Sequence, residues 1–164
     1  MTEITIREPG QTEAEQLAAM MCNDEVLRVE LGFAAGDLLT AEDVLREIVE
    51  WCPPRRATMY AILADNTVIG TITLSHRSPD GLSAQIGYWI GSRYRRFGYC
   101  TKACAVVLNQ AASEGIVFVS ATITFDNIPS RRIWERLGAI ASEISPGQFQ
   151  YRLNIDTNLH SKIE

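Results

Sequence analysis

The residues best suited to chemistry form a basic turn in the middle of the chain. Arg93, Arg95 and Arg96 lie close together, and Gly98 follows shortly after them. The β-branched and aromatic residues 86–90 before the turn predict a strand, and helical spacing of apolar residues begins just after it. A helix start leaves backbone N–H groups without intrahelical partners, and the helix dipole adds partial positive charge there. The turn is therefore predicted to bind an anionic ligand.

A second segment of interest, residues 125–138, carries amide, hydroxyl and aromatic side chains and includes Asn127 and Ser130. Together, the two segments resemble the GNAT acetyltransferase superfamily, whose turn reads Arg or Gln, two residues, Gly, one residue, then Gly or Ala. Here that turn runs from Arg95 to Cys100, and Cys100 departs from the pattern because it is larger than Gly or Ala. The Gly-Tyr-Trp-Ile strand and the Asn127-x-x-Ser130 spacing are most similar to the branch containing the ribosomal-protein N-terminal acetyltransferases.

Periodicity and turn residues predict the elements that must position these segments. Thr12 and Thr40 each begin a capping-box pattern, so each predicts a helix start. The predicted strands cover residues 2–7, 59–64, 68–75, 83–90, 116–124, 140–144 and 149–153, and the predicted helices cover 12–22, 40–52, 99–114 and 128–137. This order predicts an α/β (α+β) domain with a mixed sheet. The resemblance implies a GNAT fold: about seven mostly antiparallel strands, about four flanking helices, and a splay between the fourth and fifth strands.

The resemblance also implies acetyl-CoA as the cosubstrate and suggests which residues hold it. The strand backbone of Tyr88, Trp89 and Ile90 would contact pantetheine, although the side chains of these three residues also fit plain core packing. Asn127 would contact pantetheine or serve only as a helix N-cap. The pyrophosphate would lie on the turn and the helix start, at Arg95, Arg96, Phe97, Gly98, Tyr99, Cys100 and Thr101.

Transfer of an acetyl group to an amine requires a proton acceptor and assistance to the departing thiol. Many family members carry a Tyr four residues after the position of Ser130, but this chain has Trp134, whose indole N–H is not a usable acid. Ser130 is therefore the candidate catalytic residue, although a helix-start role is equally open. Gln85 cannot act as the base, which leaves Glu25, Glu30, His76 or a water chain.

Two hypotheses follow, and both stay open at the level of sequence. The first is an acetyl-CoA-dependent N-acetyltransferase that acetylates a primary amine of a peptide N-terminus or a small molecule. The second is a CoA-binding module without transfer activity, which Gln85, Trp134 and Cys100 motivate. A nucleotide triphosphatase is poorly supported, because the turn lacks the Gly-Lys-Ser/Thr ending of a phosphate-binding loop.

Composition limits the remaining options. The chain has 164 residues, so a single domain over 1–164 with a polar tail from about residue 155 is expected. A net charge of −5 opposes non-specific binding to nucleic acid or to an anionic membrane. The lack of a signal-peptide pattern or a long apolar run favours the cytoplasm. The spacing of the four cysteines does not suggest a metal site, and a homodimer is an open option.

Overall fold

The computed structural model describes residues 1–155. Ile155 is buried, and its N–H donates to the carbonyl of Val117 at 2.7 Å, so the fold continues to that residue. The rest of the predicted polar tail, residues 156–164, lies outside the described residues.

Seven strands form one mixed sheet in the order β1-β2-β3-β4-β5-β7-β6. The strands are β1 (Ile4–Arg7), β2 (Thr58–Ala64), β3 (Thr67–Ser75), β4 (Ser83–Ile90), β5 (Phe118–Thr124), β6 (Ile140–Ser145) and β7 (Gln148–Asn154). Only β4 and β5 pair in parallel, and the other neighbours are antiparallel. The Asp65-Asn66 turn between β2 and β3 has positive φ at both residues, as a tight two-residue hairpin requires.

Within residues 1–155, five α-helices flank the sheet, one more than the sequence predicts. They are α1 (Gln11–Asn23), α2 (Glu25–Leu31), α3 (Ala41–Trp51), α4 (Tyr99–Ser113) and α5 (Ile128–Arg136). The alternation of strand β2 shows how the two faces are filled: Ile62 packs into the cluster that contains α4 and α5 residues, whereas Ala61 and Leu63 pack into the cluster under α1, α2 and α3. Each face of the sheet therefore has its own apolar core.

Of the two helix caps predicted from the sequence, one is confirmed and one is wrong. The Thr40 capping box is confirmed, because its hydroxyl accepts the Asp43 N–H at 3.2 Å. The Thr12 cap is wrong, because α1 begins earlier and the Glu13 carboxylate accepts the N–H of Gly10 at 2.9 Å. Glu13 also pairs with Arg7 at 3.0 Å, which helps to hold this carboxylate beside Gly10.

Helix α2, which was not predicted from the sequence, is stabilised by the buried side chain of Arg28. Arg28 is only 9% exposed, and its guanidinium donates to the carbonyls of Ala34 and Asp37 at 2.5 and 2.9 Å. These bonds hold the loop after α2 against the helix, and they satisfy a charge that would otherwise be costly to bury. The segment that borders the end of β4 is therefore an ordered unit.

Gly70 on β3 controls how closely β3 approaches β4. A side-chain Cβ at this position would lie 2.1 Å from the Trp89 carbonyl oxygen and 2.9 Å from the Ile90 Cα, so only glycine fits. Because Gly70 pairs with Ile90, the close approach occurs at the last residue of β4, immediately before the basic turn.

Candidate functional site

Strands β4 and β5 separate after a short stretch of pairing. Their parallel register covers Ser83–Gln85 against Phe118–Ser120 and then ends, although both strands continue. Strand β3 still covers the other edge of β4 as far as Ile90. The β5-facing edge of residues 86–90 is therefore open within the described chain, which confirms the predicted splay and leaves backbone groups free for an extended ligand.

The basic turn leads from this opening into α4. Arg96 and Gly98 both have positive φ, at 69° and 77°, and the turn ends with Gly98 as the N-cap of α4. No side chain in the described residues caps this helix start, so its first backbone N–H groups remain available to a ligand. Arg96 and Lys102 are exposed on the same turn and add positive charge. This arrangement suits an anion such as a pyrophosphate.

Arg95 makes protein contacts as well as carrying charge. Its guanidinium donates to both carboxylate oxygens of Glu30 at 2.8 and 2.6 Å, and to the carbonyl of Ile90 at 3.0 Å. The hydrogen bond from Arg95 is the main reason that the pKa of Glu30 is lowered. A carboxylate held in this way is a poor proton acceptor, which disfavours Glu30 as the general base.

Asp24 ties the start of α2 to the same turn. Its carboxylate accepts the N–H of Ser92 at 2.6 Å, the Ser92 hydroxyl at 2.8 Å and the N–H of Leu27 at 3.1 Å. Burial raises the pKa of Asp24, but these hydrogen bonds outweigh it and the net pKa is lowered. Asp24 was not predicted from the sequence, although an Asp before Glu25 and a Gly32 after Leu31 are ordinary start and stop signals for a helix.

The remaining turn residues have different surroundings. Phe97 is 63% exposed and stacks on the ring of Tyr99, with centroids 5.4 Å apart. Thr101 is half-buried in the first turn of α4. The Cys100 side chain is partly buried and packs against the core, and its proximity helps to raise the pKa of buried Cys104.

Helix α5 places three predicted residues together. The side chain of Asn127 accepts the N–H of Ser130 at 3.3 Å, so Asn127 is the N-cap of this helix. Trp134 is fully buried. Its indole N–H donates to the hydroxyl oxygen of Tyr88 on β4 at 3.3 Å.

Tyr88 itself differs from its neighbour on the strand. Its side chain packs on the α4 and α5 face, whereas Trp89 packs on the face of α1 and α3. Burial is the main cause that raises the pKa of Tyr88, and the nearby Ser130 and Trp134 side chains act in the opposite direction. The sequence analysis assigned only the backbone of Tyr88 to the site, because spacing alone does not show where a side chain ends.

The other candidate bases, His76 and Glu25, lie outside strand β4, which carries the Tyr88 hydroxyl. His76 follows Ser75, which pairs with Gln85 at the closed end of the splay, and Gln85 is exposed. Glu25 is exposed and lines a cavity of about 460 Å³ between α1, the start of α2 and residues 92–94. None of the residues lining that cavity belongs to β5 or α5, so the cavity is separate from the splay.

Residues 1–155 contain no group of three or more His, Cys, Asp or Glu side chains arranged to hold a metal ion. No helix among them has the length and apolar character needed to span a membrane.

The comparisons with known proteins identify the family. Residues 3–140 match the model of the acetyltransferase (GNAT) domain. The chain belongs to the GNAT acetyltransferase family. A curated relative, "Putative ribosomal N-acetyltransferase YdaF" of Bacillus subtilis (strain 168), is 31% identical over 147 residues, which cover 82% of this chain and 76% of YdaF. The prediction of an acetyltransferase enzyme is therefore confirmed.

Solved structures show that the GNAT fold is shared over nearly the whole chain. RimL, a ribosomal L7/L12 α-N-protein acetyltransferase in complex with coenzyme A, superposes with a TM-score of 0.76 at 18% identity, covering 96% of this chain and 97% of RimL. MccE, a microcin C7 self-immunity acetyltransferase in complex with acetyl-CoA and AMP, gives a TM-score of 0.73 at 20% identity, with coverage of 93% and 92%. The predicted fold is thus confirmed, while the roles of individual site residues stay predictions.

Proposed function

We propose that this GNAT enzyme transfers the acetyl group of acetyl-CoA directly to a primary amine, at a peptide N-terminus or on a small molecule, within a ternary complex. The observation that carries the proposal is the open edge of β4 leading into the uncapped start of α4. Acetyl-CoA is the acetyl donor, in keeping with the family and with the neighbours solved with CoA or acetyl-CoA. An extended thioester arm that ends in a pyrophosphate matches this arrangement of backbone and charge.

In this proposal each region has one task. Arg96 and the first N–H groups of α4 bind the pyrophosphate, and the backbone of residues 88–90 binds the pantetheine arm. Ser130 hydrogen-bonds the sulfur as the C–S bond breaks, which lowers the cost of charge on the leaving group. The attacking amine must be neutral, so its proton passes to water, because Arg95 occupies Glu30 and Glu25 lines a cavity separate from the splay.

The acceptor is proposed from charge and from the relatives. The names of YdaF and RimL refer to ribosomal proteins, and that of RimL to an α-amino group, which supports peptide N-termini as the first acceptors to test. The net charge of −5 also favours a cationic acceptor. A cytoplasmic location and a homodimer remain predictions.

The decisive experiment combines binding with turnover. Calorimetry measures acetyl-CoA affinity, and a thiol-release assay then tests a panel of N-terminal peptides and small amines, with N-terminally blocked peptides as the matched control. Binding together with amine-dependent thiol release supports the proposal, and the absence of acetyl-CoA binding contradicts it.

The alternative, a CoA-binding module without transfer activity, is favoured by one observation. The carboxylate of Glu30 is bonded to Arg95 through both of its oxygens. Gln85, at the end of the paired part of β4 and β5, has no basic group. Neither residue therefore supplies a base at the splay. Acetyl-CoA binding without thiol release for any amine in the panel would support this alternative over the transferase.

A further inference from the structure

The hydroxyl of Tyr88 lies where strand β4 meets helix α5. Its oxygen accepts the indole N–H of fully buried Trp134, and the Ser130 side chain is close enough to influence its pKa. Cys100 and Cys104 of α4 are near enough to act on the same hydroxyl. Tyr88 lies on strand β4, and its hydroxyl therefore lies on the side of the splay that α5 borders.

The hydrogen-bond capacity of this hydroxyl is only partly used. A phenol oxygen accepts hydrogen bonds and carries one O–H donor. An indole can only donate, so Trp134 occupies an acceptor position and cannot receive the Tyr88 proton. Among the described residues, the hydrogen bonds give that O–H no carbonyl or carboxylate acceptor. Trp134 thus orients the hydroxyl, and the nearby Ser130 hydroxyl is the group that competes with a ligand for the O–H donor.

The position of Tyr88 indicates which ligand atom could receive this hydrogen bond. Tyr88 lies within the open part of β4, between the last paired residue, Gln85, and the anion-binding turn after Ile90. An acyl thioester that reaches from the turn into the splay must bring its reacting end toward Gln85 and so past Tyr88. A thiolate sulfur is an acceptor without a donor of its own, which suits a site whose nearby groups are hydroxyls and an N–H.

We infer that Tyr88 is a catalytic residue whose O–H donates a hydrogen bond to the CoA sulfur as the acetyl group leaves, a role that rests on the proposed transferase function. The amine nitrogen bonds to the carbonyl carbon, the C–S bond breaks, and its electron pair moves to sulfur. The proton lost by the amine passes to water. Tyr88 keeps its proton, because burial favours the neutral phenol, and the thiolate is protonated by solvent after release.

The inference can be tested by binding alone, without knowledge of the acceptor. The probes are CoA and desulfo-CoA, which lacks the sulfur, measured by calorimetry at a pH near 9, where a thiol of ordinary pKa about 8.5 is largely ionised. The wild type should bind CoA about tenfold more tightly than desulfo-CoA, because a charge-assisted hydrogen bond forms with the thiolate. Tyr88→Phe removes only the hydroxyl and should remove most of this preference while leaving desulfo-CoA affinity unchanged.

The matched control is Tyr60→Phe, which removes a buried hydroxyl from β2 in the same core. It should leave the preference for CoA intact. Ultraviolet absorption of the thiolate provides a second readout: the pKa of CoA bound to the wild type should be lower than that of CoA bound to Tyr88→Phe. Thermal unfolding of each variant verifies that it is folded.

Turnover then links the hydrogen bond to catalysis. With any amine that the wild type acetylates, Tyr88→Phe should lower kcat by about 100-fold and leave the KM for acetyl-CoA within about twofold, as expected for a donor that acts mainly in the transition state. Retention of both the sulfur preference and kcat would overturn the role of Tyr88 and leave the transferase function standing. Failure of the wild type to bind CoA would overturn the proposed function and the role of Tyr88 together.

Discussion

The starts of α4 and α5 lie on the two sides of the splay, and they are built in different ways. Helix α4 begins at Gly98, which has no side chain to satisfy the first N–H groups, whereas α5 begins at Asn127, whose side chain accepts the N–H of Ser130. The first backbone N–H groups therefore have no side-chain partner in α4, whereas in α5 one of them is bonded to the Asn127 side chain. The open start suits a charged ligand group, and the closed start holds side chains around the hydroxyl of Tyr88.

The largest expected effect tests whether the open start binds the anion. Arg96→Glu should weaken acetyl-CoA binding about 100-fold in calorimetry, because hydrogen bonds to charged groups contribute about 1.5–3 kcal/mol and the reversed charge adds repulsion. Arg132→Glu makes the same change on an exposed position near the start of α5 and should alter affinity little. Equal losses in the two variants would mean that overall charge, and not the α4 start, determines affinity.

The next effect concerns the anchoring of the turn before α4. Asp24→Ala removes the acceptor of three hydrogen bonds and should lower the free energy of unfolding by about 2 kcal/mol, measured in urea. Asp24→Asn preserves the size of the side chain and should lose less. A loss no greater than that of an exposed surface change, such as Glu50→Ala, would contradict the anchoring role.

The same carboxylate predicts a dependence on pH. The pKa of Asp24 is lower in the folded protein than its unfolded value of about 3.9, so its stabilisation is fully present above that pH and is lost as the pH falls through the folded pKa. The difference in unfolding free energy between the wild type and Asp24→Asn should therefore shrink below about pH 4. A difference that is constant from pH 7 to pH 3 would argue against a charged Asp24.

A smaller effect is expected at the closed start. Ser130→Ala should reduce the rate of acetyl transfer about tenfold, with little change in acetyl-CoA affinity, if its hydroxyl assists the departing sulfur. Ser113→Ala, at the other end of α4, is the control. An unchanged rate in Ser130→Ala would restrict Ser130 to a structural role.

The smallest effect separates capping from ligand binding at Asn127. Asn127→Ala should lower stability by about 1 kcal/mol through loss of the N-cap, while Asn127→Asp should retain most of it. Thermal unfolding measures the first effect, and calorimetry should show acetyl-CoA affinity within about twofold of the wild type. A large loss of affinity in both variants would instead support the pantetheine contact.

Elements marked by local sequence patterns could be predicted, whereas contacts between residues far apart in the sequence could not. The bounds of β4 and the uncapped turn were predictable because alternation, glycine and helix spacing are local signals. The pair of Arg95 with Glu30 was not, because its members lie 65 residues apart and each also fits an exposed surface role. The side chain of Tyr88 was missed for the same reason, since its partner Trp134 comes from a helix 46 residues later.

Gly70 lies outside the splay but affects where the end of β4, one side of the splay, is placed. Because no side chain separates β3 from the Trp89 carbonyl, the end of β4 can lie tightly against β3 while its other edge stands apart from β5. One side of the splay, the end of β4, is thus positioned by a strand that a ligand in the splay would not contact. In a redesign of this enzyme for larger acyl groups, Gly70 is a position to keep fixed, and the β5 side is the one to vary.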